Sequence, residues 1–210
     1  MSDFFHDGSR RFQDRFETRQ LAERTVELIV SDVISEADQR FIEQQNMFFL
    51  ATVDPQGRPN CSYKGGSAGL VRVLDETTIA FPLYDGNGMY LSAGNVLANP
   101  HVSLLFMDFQ RQARLRLNGE ASIQDDDALR ELWPEAELVV RVKLREMFPN
   151  CPRYIHKMAL VEESPFVPKQ GCDTPPPAWK SLEAVADVLP PKDAHLAGRD
   201  QDAAAALNRD

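Results

Sequence analysis

Two stretches of this chain carry residue types that could do chemistry. The first runs from Lys64 through Arg72 to the loop Asp85–Tyr90, so two cations flank the glycine-rich break Gly65-Gly66 and a Gly/Asn loop leads into a helix-like segment. Cationic side chains, backbone donors and a helix N-terminus are the parts that hold a phosphate-like anion. The second is FPNCPRYIH, which packs Cys151, Arg153, Tyr154 and His156 into six residues. Each residue also has a plainer reading. Lys64 beside two glycines is either an anion ligand or a solvated turn residue, and Asn95 either a ligand or a group bonded within its own helix. Arg114 and Arg116 alternate with leucines as an exposed strand face would. Cys151 is read as a buried structural cysteine rather than a reactive thiol, because no acid or base is assigned to activate it. A lone histidine such as His156 is more often a surface or core residue than a general acid or haem ligand.

The elements that must position these residues follow from patterning. At 210 residues with 43% apolar side chains, the chain can bury one core of ordinary domain size and leave arms or tails over. Residues 1–46 read as helical: Val26, Ile29, Val30 and Val33 recur at helical spacing, as do Phe12 and Phe16, and Ser35 with Asp38 forms a capping pattern for a short helix ending near Asn46. From Met47 the period shortens. MFFLATV is a strand-length apolar run, Asp54-Pro55-Gln56-Gly57 a turn, and RPNCSYK, GLVRVLD and TTIAFPL are further strands, read together as an antiparallel meander. A helix over Met89–Ala98 stops at Asn99-Pro100, and HVSLLFM and ARLRLNG follow as strands. Asp125–Asp127 should open another short helix, where the dipole favours carboxylates, and Leu138–Phe148 is a long strand. Six or seven strands with few helices predict a closed or partly closed barrel, a mainly β (α+β) fold over residues 47–163. Seven prolines between 165 and 191 predict an extended arm within 164–210, with the last 19 residues, ending QDAAAALNRD, as a loose tail; Trp179 and SLEAVADVL look able to dock.

Several classes are excluded. The net charge of -9 disfavours nucleic acid, and any anionic ligand needs a local cationic cluster. No apolar run has membrane-spanning length and MSDFFHDGSRRF has no signal-peptide pattern, so a cytoplasmic protein without membrane partners is expected. Cys61, Cys151 and Cys172 are odd in number and lie outside any CxxC pair or histidine cluster, which predicts reduced thiols and no metal.

The order of ATVDPQGRPNCSYKGG, GLVRVLDETTIAFP, YDGNGMYLSAGNVLANPHVSLLF and RLRLNGEA, over roughly residues 40–157, resembles the pyridoxamine 5'-phosphate oxidase-like FMN-binding split-barrel proteins. The resemblance implies an antiparallel split β-barrel, a homodimer, and one FMN in each of two clefts shared between subunits. It places Ser62, Lys64, Arg72, Asn87, Ser92 and Asn95 near the phosphate, Arg114 at a flavin-contacting position, and Arg153 by the flavin, often the other subunit's. Leu91 and Ser92 replace the adjacent Arg-Lys pair of the founding enzyme, and its C-terminal arginine and histidine motif is not recognisable, so activity on pyridoxine phosphate is not expected. The implied function is a flavin-dependent oxidoreductase acting on a small molecule, with a non-catalytic flavin- or haem-binding or sensing module as the alternative. Flavin carries the redox chemistry, so no acid or base motif is required.

Overall fold

The computed structural model describes residues 4–198. Helices α1 (Asp7–Arg15), α2 (Arg19–Ile29) and α3 (Glu36–Glu43) precede strands β1 (Met47–Val53), β2 (Pro59–Gly65), β3 (Arg72–Asp75) and β4 (Thr78–Leu83). Helix α4 (Leu91–Ala98) then leads to β5 (His101–Asp108), β6 (Ala113–Gln124) and β7 (Leu138–Pro149). The expected cap is present: Ser35 Oγ accepts from the Asp38 amide at 3.2 Å, and the Asp38 carboxylate accepts from the Ser35 amide at 3.1 Å. Helix α4 ends at Asn99, whose extended backbone is what the following proline demands.

All seven strands form one antiparallel sheet in the order β2-β1-β5-β6-β7-β4-β3. The meander expected of the first four strands is corrected here. β1–β2 and β3–β4 are separate hairpins at opposite edges, and only β5–β6–β7 is a meander, because β1 pairs forward with β5 and β4 with β7. The sheet nevertheless curls round on itself. Phe48 of β1 and Phe81 of β4, four positions apart in strand order, have ring centroids 4.9 Å apart, and Phe48 lies 5.5 Å from Phe106. β2 and β3 do not pair, so among the described residues the barrel is split rather than closed.

The core is the inward row of each strand: Phe48 and Leu50, Ile79 and Phe81, Leu104 and Phe106, Leu117, Val140 and Val142, all essentially inaccessible. β6 and β7 bend where their register shifts at Asn118/Gly119, and a Cβ on Gly119 would collide with the Lys143 carbonyl oxygen. Asp127, rather than all three aspartates, caps the following turn, which is 3-10 (Ala128–Leu132). Its carboxylate accepts from the Leu129 amide at 2.9 Å and from Arg141 Nε and Nη2 at 2.5 and 2.9 Å. The N-terminal segment is fastened to β7 by paired backbone bonds between Ser31 and Met147 (2.9 and 2.7 Å), with Val26, Ile29 and Val30 half-buried. Among the described residues no helix is long and apolar enough to cross a membrane.

The chain divides into two compact units at Val161/Glu162, two residues before the expected start of the arm. Within the second, the prolines are compatible with short 3-10 turns, at Ala178–Ser181, Glu183–Val185 and Pro191–Leu196, the last with proline at its start. Lys180 Nζ pairs with Asp193 Oδ2 at 2.7 Å and joins the first of these turns to the third, so the segment read as a loose tail begins with a tethered turn. Residues 199–210, including QDAAAALNRD, lie outside the described residues.

Candidate functional site

β2 alternates. Cys61 and Tyr63 are exposed, while Asn60, Ser62 and Lys64 turn towards a cleft whose other wall is Leu83, Tyr84, the Gly86–Gly88 loop and the first residues of α4. β2 and β4 stand five places apart in the sheet order, so only the curl of the sheet brings these walls together. The cleft encloses about 350 Å³, within the range of roughly 300–1,000 Å³ typical of small-molecule sites.

At its polar end, Ser92 Oγ lies 3.2 Å from Ser62 Oγ and accepts from Lys64 Nζ at 3.5 Å. Lys64 is half-buried, pairs with no carboxylate among the described residues, and has its ammonium pushed below its ordinary pKa by burial. Helix α4 opens on this same spot. Its N-cap, Tyr90, has left-handed backbone (φ 47°) and no side-chain capping bond, so the amides of Leu91, Ser92 and Ala93 lack intrahelical acceptors, the first such bond being Gly94 N–H to Tyr90 O. Tyr90 is held by its hydroxyl, which donates to Glu137 Oε2 at 2.9 Å. Burial, with Glu135 nearby, pushes the Tyr84 phenol up to about 12, so it stays a protonated donor at neutral pH. An uncompensated ammonium, two hydroxyls and a helix N-terminus fit a phosphate monoester.

Four of the sequence-predicted site residues, Ser62, Lys64, Asn87 and Ser92, therefore share one cleft. Asn95, one turn further along α4, donates through Nδ2 to Thr52 Oγ1 at 2.9 Å and anchors the helix to β1 instead. Arg72 does not line the cleft: the Val73 amide next to it donates to Glu43 of α3 at 3.1 Å, and the Arg72 guanidinium lies over Gly69. Arg114 and Arg153 meet at Cys151, away from the cleft lining. Arg114 Nη2 donates to the Cys151 carbonyl at 3.0 Å and Arg153 Nε to Cys151 Sγ at 3.2 Å. Cys151 is exposed rather than buried, and hydrogen bonds from the Arg153 backbone and side chain hold its thiol below the usual range, which corrects its reading as an inert core cysteine. Asn60 and Tyr84 were missed as lining residues, while Tyr90 closes the loop read as part of the site. Asn60 was legible from the period-2 row it forms with Ser62 and Lys64, whereas nothing local marks Tyr84.

A family profile described as pyridoxamine 5'-phosphate oxidase matches residues 34–150, more than half of the chain. The chain belongs to this family. The pyridoxamine 5'-phosphate oxidase match spans α3 and all seven strands, and hence every residue lining the cleft. No curated protein matches the chain. Solved structures of similar fold include HupZ of Group A Streptococcus (21% identity, covering 60% of this chain and 99% of that one, TM-score 0.47). They also include HutZ of Vibrio cholerae, described as a heme storage protein (20%, 55% and 93%, 0.41). An FMN-binding protein of Syntrophomonas wolfei is a third (13%, 67% and 97%, 0.42).

Proposed function

We propose that this member of the pyridoxamine 5'-phosphate oxidase family binds FMN in the cleft between β2 and α4 and works as a flavin-dependent oxidoreductase on a small molecule. The observation that carries the reading is Lys64, a half-buried ammonium without a carboxylate partner, set against Ser62, Ser92 and the open N-terminus of α4. Lys64 would neutralise the phosphate, the hydroxyls and α4 amides would donate to it, and Tyr84 would donate from the apolar end. FMN, when bound, supplies the hydride or electron chemistry. Phosphate binding is favoured over haem binding by the cationic and hydroxyl donors at the polar end, the haem-ligating types among the lining residues being limited to Tyr84 and Tyr90. We also propose a homodimer. Tyr63, 62% exposed, stacks edge-on against Phe49 on the outer sheet face beside Leu105, an apolar row that a second copy would cover.

The test is chromatography of the flavin released from purified protein, followed by titration of apo-protein with FMN. FMN should be recovered, and Lys64→Met should weaken its binding by roughly 10-fold or more, as loss of one charge-assisted contact implies. Recovery of FAD or haem, or unchanged affinity in the variant, overturns the site. Bleaching by NADH or NADPH with reoxidation in air separates an oxidoreductase from a module that binds without turnover.

A further inference from the structure

Tyr90 stands where the Gly86–Gly88 loop turns into α4, in left-handed backbone (φ 47°, ψ 30°) that costs free energy for any residue with a side chain and persists only where the surroundings enforce it. Close packing does not enforce it here. A Cβ on Gly86 or Gly88 would meet nothing within 4 Å, and Met89, Tyr90 and Leu91 are each more than half exposed. A contact that does reach Tyr90 comes from across the cleft wall, where its hydroxyl donates to Glu137 Oε2 at 2.9 Å. Glu137 is mounted on the sheet: its amide donates to the Leu83 carbonyl at 2.9 Å, and the next residue, Leu138, pairs with Leu83 in the β4–β7 ladder. It does not itself line the cleft. The body of α4 is pinned separately, by Asn95 Nδ2 on Thr52 Oγ1 and by the buried Ala93 and Val96. Release at Tyr90 would therefore move the entrance of the helix, which carries Ser92 against Ser62 and Lys64.

We propose that Glu137 is a positioning residue of the cleft: by holding Tyr90 left-handed it sets the first turn of α4, and Ser92 with it, against Lys64, and so gives the cleft its preference for phosphorylated over unphosphorylated flavin. The inference rests on the FMN reading above. An exposed hydrogen bond adds little to the stability of the whole fold, so its loss acts on the loop. Tyr90 then relaxes to ordinary backbone, and the free amides and the Ser92 hydroxyl lose their fixed distance from the Lys64 ammonium. A phosphate would have to order them again on binding, and its affinity falls by that cost. The rest of the flavin makes no demand on these groups.

Full-length apo-protein is titrated with FMN and with riboflavin, which lacks the phosphate. The parent should bind FMN roughly tenfold tighter or more. Glu137→Ala and Tyr90→Phe should each weaken FMN binding about three- to tenfold, the worth of one net hydrogen bond, and leave riboflavin binding within about twofold. The double variant should be no weaker than either single one, as a shared contact requires. Glu137→Gln removes the charge but keeps an oxygen acceptor for the Tyr90 hydroxyl, so it should bind FMN as the parent does. If Glu137→Gln and Glu137→Ala behave alike, the carboxylate acts by its charge and the tether is overturned. Equal loss of both flavins in Glu137→Ala and Tyr90→Phe marks a role in the fold alone and overturns it too. A parent that binds FMN and riboflavin alike removes the phosphate site and this inference with it, whereas a parent that discriminates while its variants match it overturns this inference only.

Discussion

At the scale of single residues, Lys64 has opposite effects on stability and binding. Its burial disfavours the ammonium, so in the apo-protein the unfolded chain holds the proton more tightly, and stability should rise with pH from the lowered folded pKa up to the ordinary lysine value. A bound phosphate monoester reverses the preference. Lys64→Met should therefore raise the apo melting temperature by a few degrees, about 0.5–2 kcal/mol, while weakening FMN binding. Calorimetry with and without FMN checks both signs; a variant less stable than the parent would mean that the charge is already satisfied. FMN affinity should also fall off at a lower pH than a solvated lysine would dictate. Asp127 shows the complementary sign. The Arg141 hydrogen bonds hold its carboxyl below the usual range, so its contribution is full above the ordinary carboxylate pKa and is lost as pH falls through the lowered one. Asp127→Asn should cost about 1.5–3 kcal/mol in urea unfolding at pH 7, the worth of hydrogen bonds to a charged group, and much less in strong acid.

At the scale of elements, the strands and caps were legible because their signals are local. The period of two in RLRLNG, the Ser35/Asp38 box and the Asn99-Pro100 stop each act within a few residues. What the sequence does not carry locally is which strand pairs with which. The turns of both hairpins were readable, yet β1 pairs with β5 and β4 with β7 across long separations, and this is what moved Arg72 to the α3 side while Lys64 stayed in the cleft. Cys151 was misjudged for a different reason: the donors that hold its thiol down come from Arg153, two residues along the chain, and its exposure is not set by any local pattern. The β6–β7 bend supplies a sharper test. Gly119→Ala places a methyl group against the Lys143 carbonyl and should destabilise the fold by roughly 1–3 kcal/mol, the cost of overpacking, read as a lower urea midpoint with an unchanged m-value. A variant of parental stability would mean that the two strands can separate locally without loss.

At the scale of the whole molecule, light scattering on flavin-loaded protein should give twice the monomer mass. Removal of residues from Glu162 onward, where the second unit begins, should leave a yellow dimer if the barrel face alone makes the contact. A flavin-loaded monomer would remove the second copy from the scheme. Strand order also bears on how the protein comes to be made. β7, the last strand to leave the ribosome, sits in the interior of the sheet between β6 and β4. Until it arrives, the β3–β4 hairpin has no neighbour to join, and the inward faces of Ile79 and Phe81 have only a partial core against them. Folding of the barrel thus waits for β7, is slow for its size because its pairings are non-local, and is exposed to capture by chaperones while the hairpin waits.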